Sequence, residues 1–315
     1  MPERLFLFLQ LEFPWELGPP DGRYLLRARG ADGPPGVRPG TELESGEPEH
    51  VVVLNTLGAP RRAGTGRGTI TLPGAGARAR RPRETTSDPA PVPTSRATVI
   101  DPVSVSAERQ AQAWLAEIDA ERETLAATAV LNRVLFAHRI ATADPHTHEV
   151  APAQALVVRA GWGEGEQLAD GHFQHALELP WAASARTRRR ASALRPQERL
   201  AELLGARTEE LVCEELALRA RLDLDHGRLA LAAIELDAAL DAARGELDEE
   251  THPALAPRVD ELRALHEGLT ATARAASPGA DAEDALAPEE ETVRHALERL
   301  EAALRARTAG GFTRG

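Results

Sequence analysis

Lysine is missing from this chain: all 37 of its basic residues are arginine. Asparagine occurs only at Asn55 and Asn132. GC-rich coding accounts for both depletions, so the arginines need no functional selection, although each still acts as a planar, permanently charged fork. Cysteine occurs once, at Cys213, which excludes an intrachain disulfide and a thiolate zinc cluster and suits a reducing compartment. Aromatic residues make up only 3% of the chain, and much of its 42% hydrophobic fraction is alanine. Alanine buries little area, so its helices must approach closely to gain transfer energy. No stretch nears the ~20 apolar residues of a membrane helix. The apolar start "LFLFLQLEF" from Leu5 is interrupted by Gln10 and Glu12 and lacks a small-residue cleavage site, which argues against a signal peptide. These features predict a soluble, cytoplasmic protein with no membrane contact.

The net charge of -12 is segregated along the chain. Residues 58–97 carry +6 and residues 186–207 carry +5, while residues 208–315 carry -12. Acidic blocks separated by basic ones can attract one another, a second copy or a partner.

Residues 5–15 alternate, with leucines, Phe13 and Trp15 on one side and Phe6, Phe8, Gln10 and Glu12 on the other. That period of two predicts a strand whose second face turns polar. "GPPDG" at 18–22 reads as a turn and "RYLLRAR" from Arg23 as a returning strand, giving a β-hairpin. "HVVVLNTLG" from His50 is a third strand. Residues 58–97 are glycine, proline, arginine and small polar residues, with little to bury, and are expected to be a disordered linker or insertion. Beyond them a long helix is expected, capped by Ser106 and ending before Pro145, with its second half, Leu125 to Ile140, buried on most sides. "AQALVVRAG" reads as a strand that pairs with the N-terminal hairpin, and "GHFQHALELPW" as a short helix or strand stopped by Pro180.

The later residues show helical stripes. Leu229, Ala233, Leu236, Leu240, Ala243 and Leu247 step by four and three, as do Leu255, Val259, Leu262, His266 and Leu269, and then Val293, Leu297, Leu300 and Leu304. Residues 277–288 read as a flexible linker, and residues 289–308 as a C-terminal helix. Ala220, Gly227, Leu229, Ala232, Leu236 and Ala239 stand at the small and apolar positions of a 34-residue helical repeat spanning 213–246. That segment resembles a single tetratricopeptide hairpin. Asp223 replaces its aromatic position and Arg244 its proline, and no second copy occurs in 107–140 or 252–276. Helix packing alone demands the same pattern in an ordinary antiparallel hairpin.

Several constellations invite chemical readings. "AGWGEGEQLADG" at 160–171 has glycines after a strand, but no helix follows directly, no lysine is present, and Glu164 and Glu166 would repel a phosphate. Gly161, Gly163, Gly165 and Gly171 are therefore expected to serve turns, with Trp162 as a packing anchor. Five histidines lie within 38 residues. His146 and His148, then His172 and His175, are candidate metal ligands, with Asp144, Glu149, Glu164 and Glu178 available to complete a shell. His138 is expected in the core. Cys213, among Glu209, Glu210, Glu214 and Glu215, sits where a thiolate is disfavoured. Arg78, Arg80, Arg81 and Arg83, and above all Arg188, Arg189 and Arg190, are candidate anion contacts, with few aromatics for base stacking. Ser192 follows basic residues, as an unspecific phosphorylation site would.

The fold class expected is α+β: a small mixed or antiparallel sheet with a buried helix (1–57 plus 98–182), then an all-α antiparallel helical domain (190–276). No catalytic centre and no cofactor are expected. The leading functional expectation is a non-enzymatic interaction or scaffold protein that meets a protein partner, or itself, through Leu229, Leu236, Leu240, Leu255 and Leu262. Nucleic-acid or anion binding through the arginines, and a metal-dependent enzyme built on the histidines, are the alternatives.

Overall fold

The computed structural model describes residues 4–27, 48–58, 93–181, 195–247, 255–276 and 289–311. They fall into two compact units, one ending at residue 181 and the other starting at residue 195. Together they are an α+β protein with an antiparallel sheet followed by a helical region.

The first unit holds strands β1 (Leu5–Phe13), β2 (Gly22–Leu26), β3 (His50–Leu57), β4 (Thr94–Ile100), β5 (Val157–Glu164) and β6 (His175–Glu178). Helices α1 (Glu108–Ala116) and α2 (Ala120–Thr142) lie between β4 and β5 in the chain. The strand order is β2-β3-β4-β1-β5-β6, with every pairing antiparallel. The alternation in β1 sets two faces. Leu5, Leu7, Leu9, Leu11 and Phe13 pack in one core with Ala111 and Leu115 of α1 and with Leu131 and Leu135 of α2. Each leucine so buried contributes roughly 1.5–3 kcal/mol.

Four expectations need correction here. β1 and β2 do not form a hairpin: β1 is flanked by β4 and β5, so β2 goes to the outer edge beside β3. β4 lies partly inside the stretch expected to be a disordered linker. Its Ala97 is wholly buried, and Arg96 pairs with Glu12. Residues 59–92 of that stretch lie outside the described residues.

The single long helix is in fact two. Ser106 does not cap it; the chain breaks after Ala116, and Asp119 Oδ1 accepts from Arg122 N at 3.1 Å to start α2. Nor is α2 buried on most sides. Leu125 and Ile140 are 48% and 66% exposed, and the buried face is narrower, running from Thr124 to Leu135. An apolar run on a helix marks which residues are able to be buried, while the number of neighbours decides how many are.

The second unit comprises α3 (Pro196–Leu204), α4 (Val212–Asp225), α5 (Leu229–Glu246), α6 (Ala256–Ala276) and α7 (Glu290–Gly311). α4 and α5 form a tight helical hairpin whose turn contains Gly227 at φ +67, a conformation that costs glycine nothing. Ala217, Ala220, Ala232, Ala239 and Ala243 are all buried between these helices and their neighbours, which is how an alanine-rich sequence builds a core: small side chains let the backbones approach. α6 and α7 close the core with Val259, Leu262, Leu269, Val293, Leu297 and Leu300. Ion pairs tie the helices outside it, Arg221 to Glu301 at 2.8 Å and Arg299 to Glu261 at 2.5 Å, and His266 Nε2 stands 3.1 Å from Asp237 Oδ1. The expected linker 277–288 lies outside the described residues. No helix among the described residues is long and apolar enough to cross a membrane.

Candidate interaction groove

The glycine-rich stretch is part strand and part cover. Gly161 and Gly163 lie within β5 and not in turns, because neighbouring chain comes too close for a side chain. A Cβ on Gly161 would stand 2.2 Å from the carbonyl oxygen of His175, and one on Gly163 would stand 2.5 Å from Leu168 Cδ2. Gly165 (φ +62) and Gly171 (φ +92) do make turns, at either end of a short 3-10 helix, Glu166–Asp170. That helix folds back over the second face of the sheet and buries Leu168 against Phe8, Val51 and Ile100. Trp162 is buried and stacks on His175 with ring centroids 4.7 Å apart, as an anchor should. The stretch therefore supplies a strand and a cover for the sheet.

The same face becomes polar where the sequence does. Gln10 Nε2 donates to Thr98 Oγ1 at 3.0 Å, and Glu12 Oε1 accepts from Arg159 at 2.8 Å and Arg96 at 2.9 Å. Burial acts to raise the Glu12 carboxyl, but the two guanidiniums outweigh it and hold it below the ordinary range. A recess of about 590 Å³ on this face is lined by Phe6, Val51, Ile100 and the Arg23–Glu166 ion pair.

The histidines do not assemble. His146 and His148 are exposed on the loop after α2, and His172 and His175 are exposed around β6. Among the described residues, no three histidine, cysteine or carboxylate side chains gather as a metal site would require. His138 is half-buried rather than a core residue. Arg78, Arg80, Arg81, Arg83, Arg188, Arg189 and Arg190, with Ser192, lie outside the described residues.

The leucines chosen as a contact surface are likewise corrected. Leu236, Leu240, Leu255 and Leu262 are buried in the unit's own core, and Leu229 is half-buried against it. A single apolar stripe on a charged helix signals that something covers it, and here α4 to α7 cover one another.

What remains open lies elsewhere, in a groove of about 740 Å³ bounded by α3, α4 and α7. Its apolar lining is Leu200 and Leu203 of α3, Ala217 and Leu218 of α4, and Leu304 of α7. Leu218 is 64% exposed and Leu200 49%. Around these lie Glu214, Arg221 and Asp225 of α4 and Glu298, Glu301 and Arg305 of α7. α3 presents Arg199, whose guanidinium donates to Glu214 Oε2 at 2.5 Å and to Thr308 Oγ1 at 3.1 Å. Burial acts to lower Arg221, but its hydrogen bond to Glu301 together with the charges of Glu301, Asp225 and Glu298 outweighs that effect and holds it in its charged form. Asp225 is raised above the ordinary carboxylate range, chiefly by burial. Sequence reading missed this site because α3 lies in a block noticed only for its arginines. The spacing of Leu200, Leu203 and Leu204 was the available signal.

Within the α4–α5 hairpin, Asp223, which replaces the aromatic of the tetratricopeptide pattern, is buried and paired with Arg228. Glu235 of α5 faces it. Burial, reinforced by the Asp223 charge, pushes the Glu235 carboxyl up to about 7. Cys213 lies fully buried at the start of α4, where burial and then Glu246 raise its thiol far above the ordinary range and disfavour the thiolate.

No protein-family model matches the chain, and no curated protein or solved structure is significantly similar to it.

Proposed function

We propose that the protein is a non-enzymatic interaction module whose helical unit receives an amphipathic helix of a partner protein in the groove between α4 and α7. The observation that supports this reading is an exposed leucine surface. Leu218 and Leu200 stand largely in solvent while more than a dozen alanines and leucines of the same unit are buried. A concave apolar lining with charged side chains along its edges is the usual form of a helix-in-groove site. The two other readings gain no support: the histidines are scattered, and the arginine clusters lie outside the described residues.

The test is a benzoylphenylalanine photo-crosslinker placed at Leu218 of the full chain, compared with the same probe at Arg244 on the exposed side of α5. Protein adducts at position 218 that are absent at 244, and that disappear when Glu298→Arg is added on the α7 side of the groove, are the expected result. Adducts equal at both positions, or none at either, would reject the reading.

A further inference from the structure

α3 is an anomaly in its unit. It is nine residues long, and none of them is buried. A helix of this length has little stability of its own, and helices in proteins usually form because one face is packed. Here the polar tether is Arg199, which reaches Glu214 and Thr308. Leu200 and Leu203 line the groove without filling it, and Leu204, the next residue on that side, is 81% exposed.

The surface under α3 has a charge preference. The charged groove residues contributed by α4 and α7 are four acids, Glu214, Asp225, Glu298 and Glu301, and two arginines, Arg221 and Arg305, a net of -2. On the side that lines the groove α3 answers this with a cation and two leucines, Arg199, Leu200 and Leu203, while its Glu198 and Glu202 are not part of that lining. It is thus a sample of what the surface accepts, held too loosely to exclude a better one.

We infer that α3 is a resident strap over a surface that fits a basic, leucine-bearing amphipathic helix of a partner protein, and that such a helix takes its place. The inference rests on the groove being the docking surface, and adds its regulation and the chemistry of its occupant. Displacement is cheap because no residue of α3 is fully buried. The replacement gains in two ways, since a longer helix covers the exposed Leu218 and a second cation meets Glu298 or Glu301. While the strap is closed it lowers the apparent affinity of any competitor in proportion to the fraction of time it is closed.

The probe is a fluorescent peptide of residues 195–208, RPQERLAELLGART, titrated against the full-length protein by anisotropy. The wild type is expected to bind weakly. Arg199→Ala, which removes the tether to Glu214 and Thr308, is expected to bind about tenfold more tightly if the strap is closed nine-tenths of the time. Adding Leu218→Arg abolishes binding, and a peptide carrying Arg199→Glu does not bind. Hydrogen exchange on the wild type supplies a second readout: the amides of α3 exchange far faster than those of α4 and α7.

Equal affinity for the wild type and Arg199→Ala, with binding still lost on Leu218→Arg, overturns the strap while leaving the groove. Absence of peptide binding to Arg199→Ala, alongside Leu218-dependent crosslinks, has the same effect. Binding that ignores Leu218→Arg overturns the groove itself. An Arg199→Ala protein that sediments as a dimer and is split by the peptide identifies the occupant as α3 of a second copy, which overturns the partner helix.

Discussion

Asn132 holds the backbone of Val150 from both sides: its Oδ1 accepts from Val150 N at 2.8 Å, and its Nδ2 donates to Val150 O at 2.8 Å. Both residues are buried, and the side chain serves as a one-residue strand for a loop that has no ladder to join. The chain's other asparagine has similar work, since Asn55 Nδ2 donates to the carbonyl of Ala169 at 3.2 Å and helps fix the 3-10 helix over the sheet. Replacing Asn132 with leucine keeps the volume and strands a buried N–H and C=O, each costing ~1–3 kcal/mol. Asn132→Leu is therefore expected to lower the urea midpoint of the first unit markedly, with Asn132→Asp intermediate because it restores an acceptor for Val150 N. A midpoint within error of the wild type would refute this.

Gly161→Ala is expected to weaken the β5–β6 pairing. The new methyl group would meet the His175 carbonyl at 2.2 Å, the Ala176 Cα at 2.9 Å and Phe8 Cε1 at 3.0 Å, two of them backbone atoms. Overpacking of this kind costs typically ~1–3 kcal/mol, and backbone on two sides places this case at the upper end. Faster hydrogen exchange at Ala176 and Glu178, with that of α2 unchanged, is the reading that checks it.

The Glu235–Asp223 pair gives the helical unit a pH dependence. The Glu235 carboxyl sits at about 7 in the fold against 4.5 as its ordinary value. Below about 4.5 both folded and unfolded chains hold its proton and the contribution is intact. As pH rises from about 4.5 to about 7 the unfolded chain releases the proton while the folded one retains it, so this stability is lost, and above about 7 the loss is complete. Glu235→Gln removes the dependence. The variant and the wild type should melt together near pH 4.5, and the variant should melt higher by several degrees at pH 8. A melting-temperature difference that stays constant across that window would contradict the assignment.

Cys213 is expected to resist thiol reagents in the native protein. Its side chain is inaccessible, and burial with Glu246 alongside disfavours the thiolate. Reaction with iodoacetamide at pH 8 should proceed only after denaturant has opened the helical unit, and so should follow its unfolding curve. Prompt stoichiometric labelling of the native chain would show that α4 does not bury it.

The alternation in "LFLFLQLEF" and the four-three steps from Leu229 to Leu304 were legible because a strand or helix with one covered face must repeat its apolar residues at its own period. That is enough to establish an α+β chain with a helical C-terminal part, and to say that those leucines would be covered. Periodicity carries no information about which surface does the covering. The stripes therefore read equally well as an interface or as a core, and only the packing of α4 to α7 on one another decided for the core. Strand order was hidden for the same reason: the start of β4 has the composition of a linker, and its place beside β1 is a pairing across 84 residues in which Glu12 meets Arg96. The groove is a tertiary property, since Leu200 and Leu218 share one surface with Leu304 only when the distant α7 is brought against α3 and α4. Local sequence determined which residues avoid water; the arrangement of the helices decided which of them remain exposed to it.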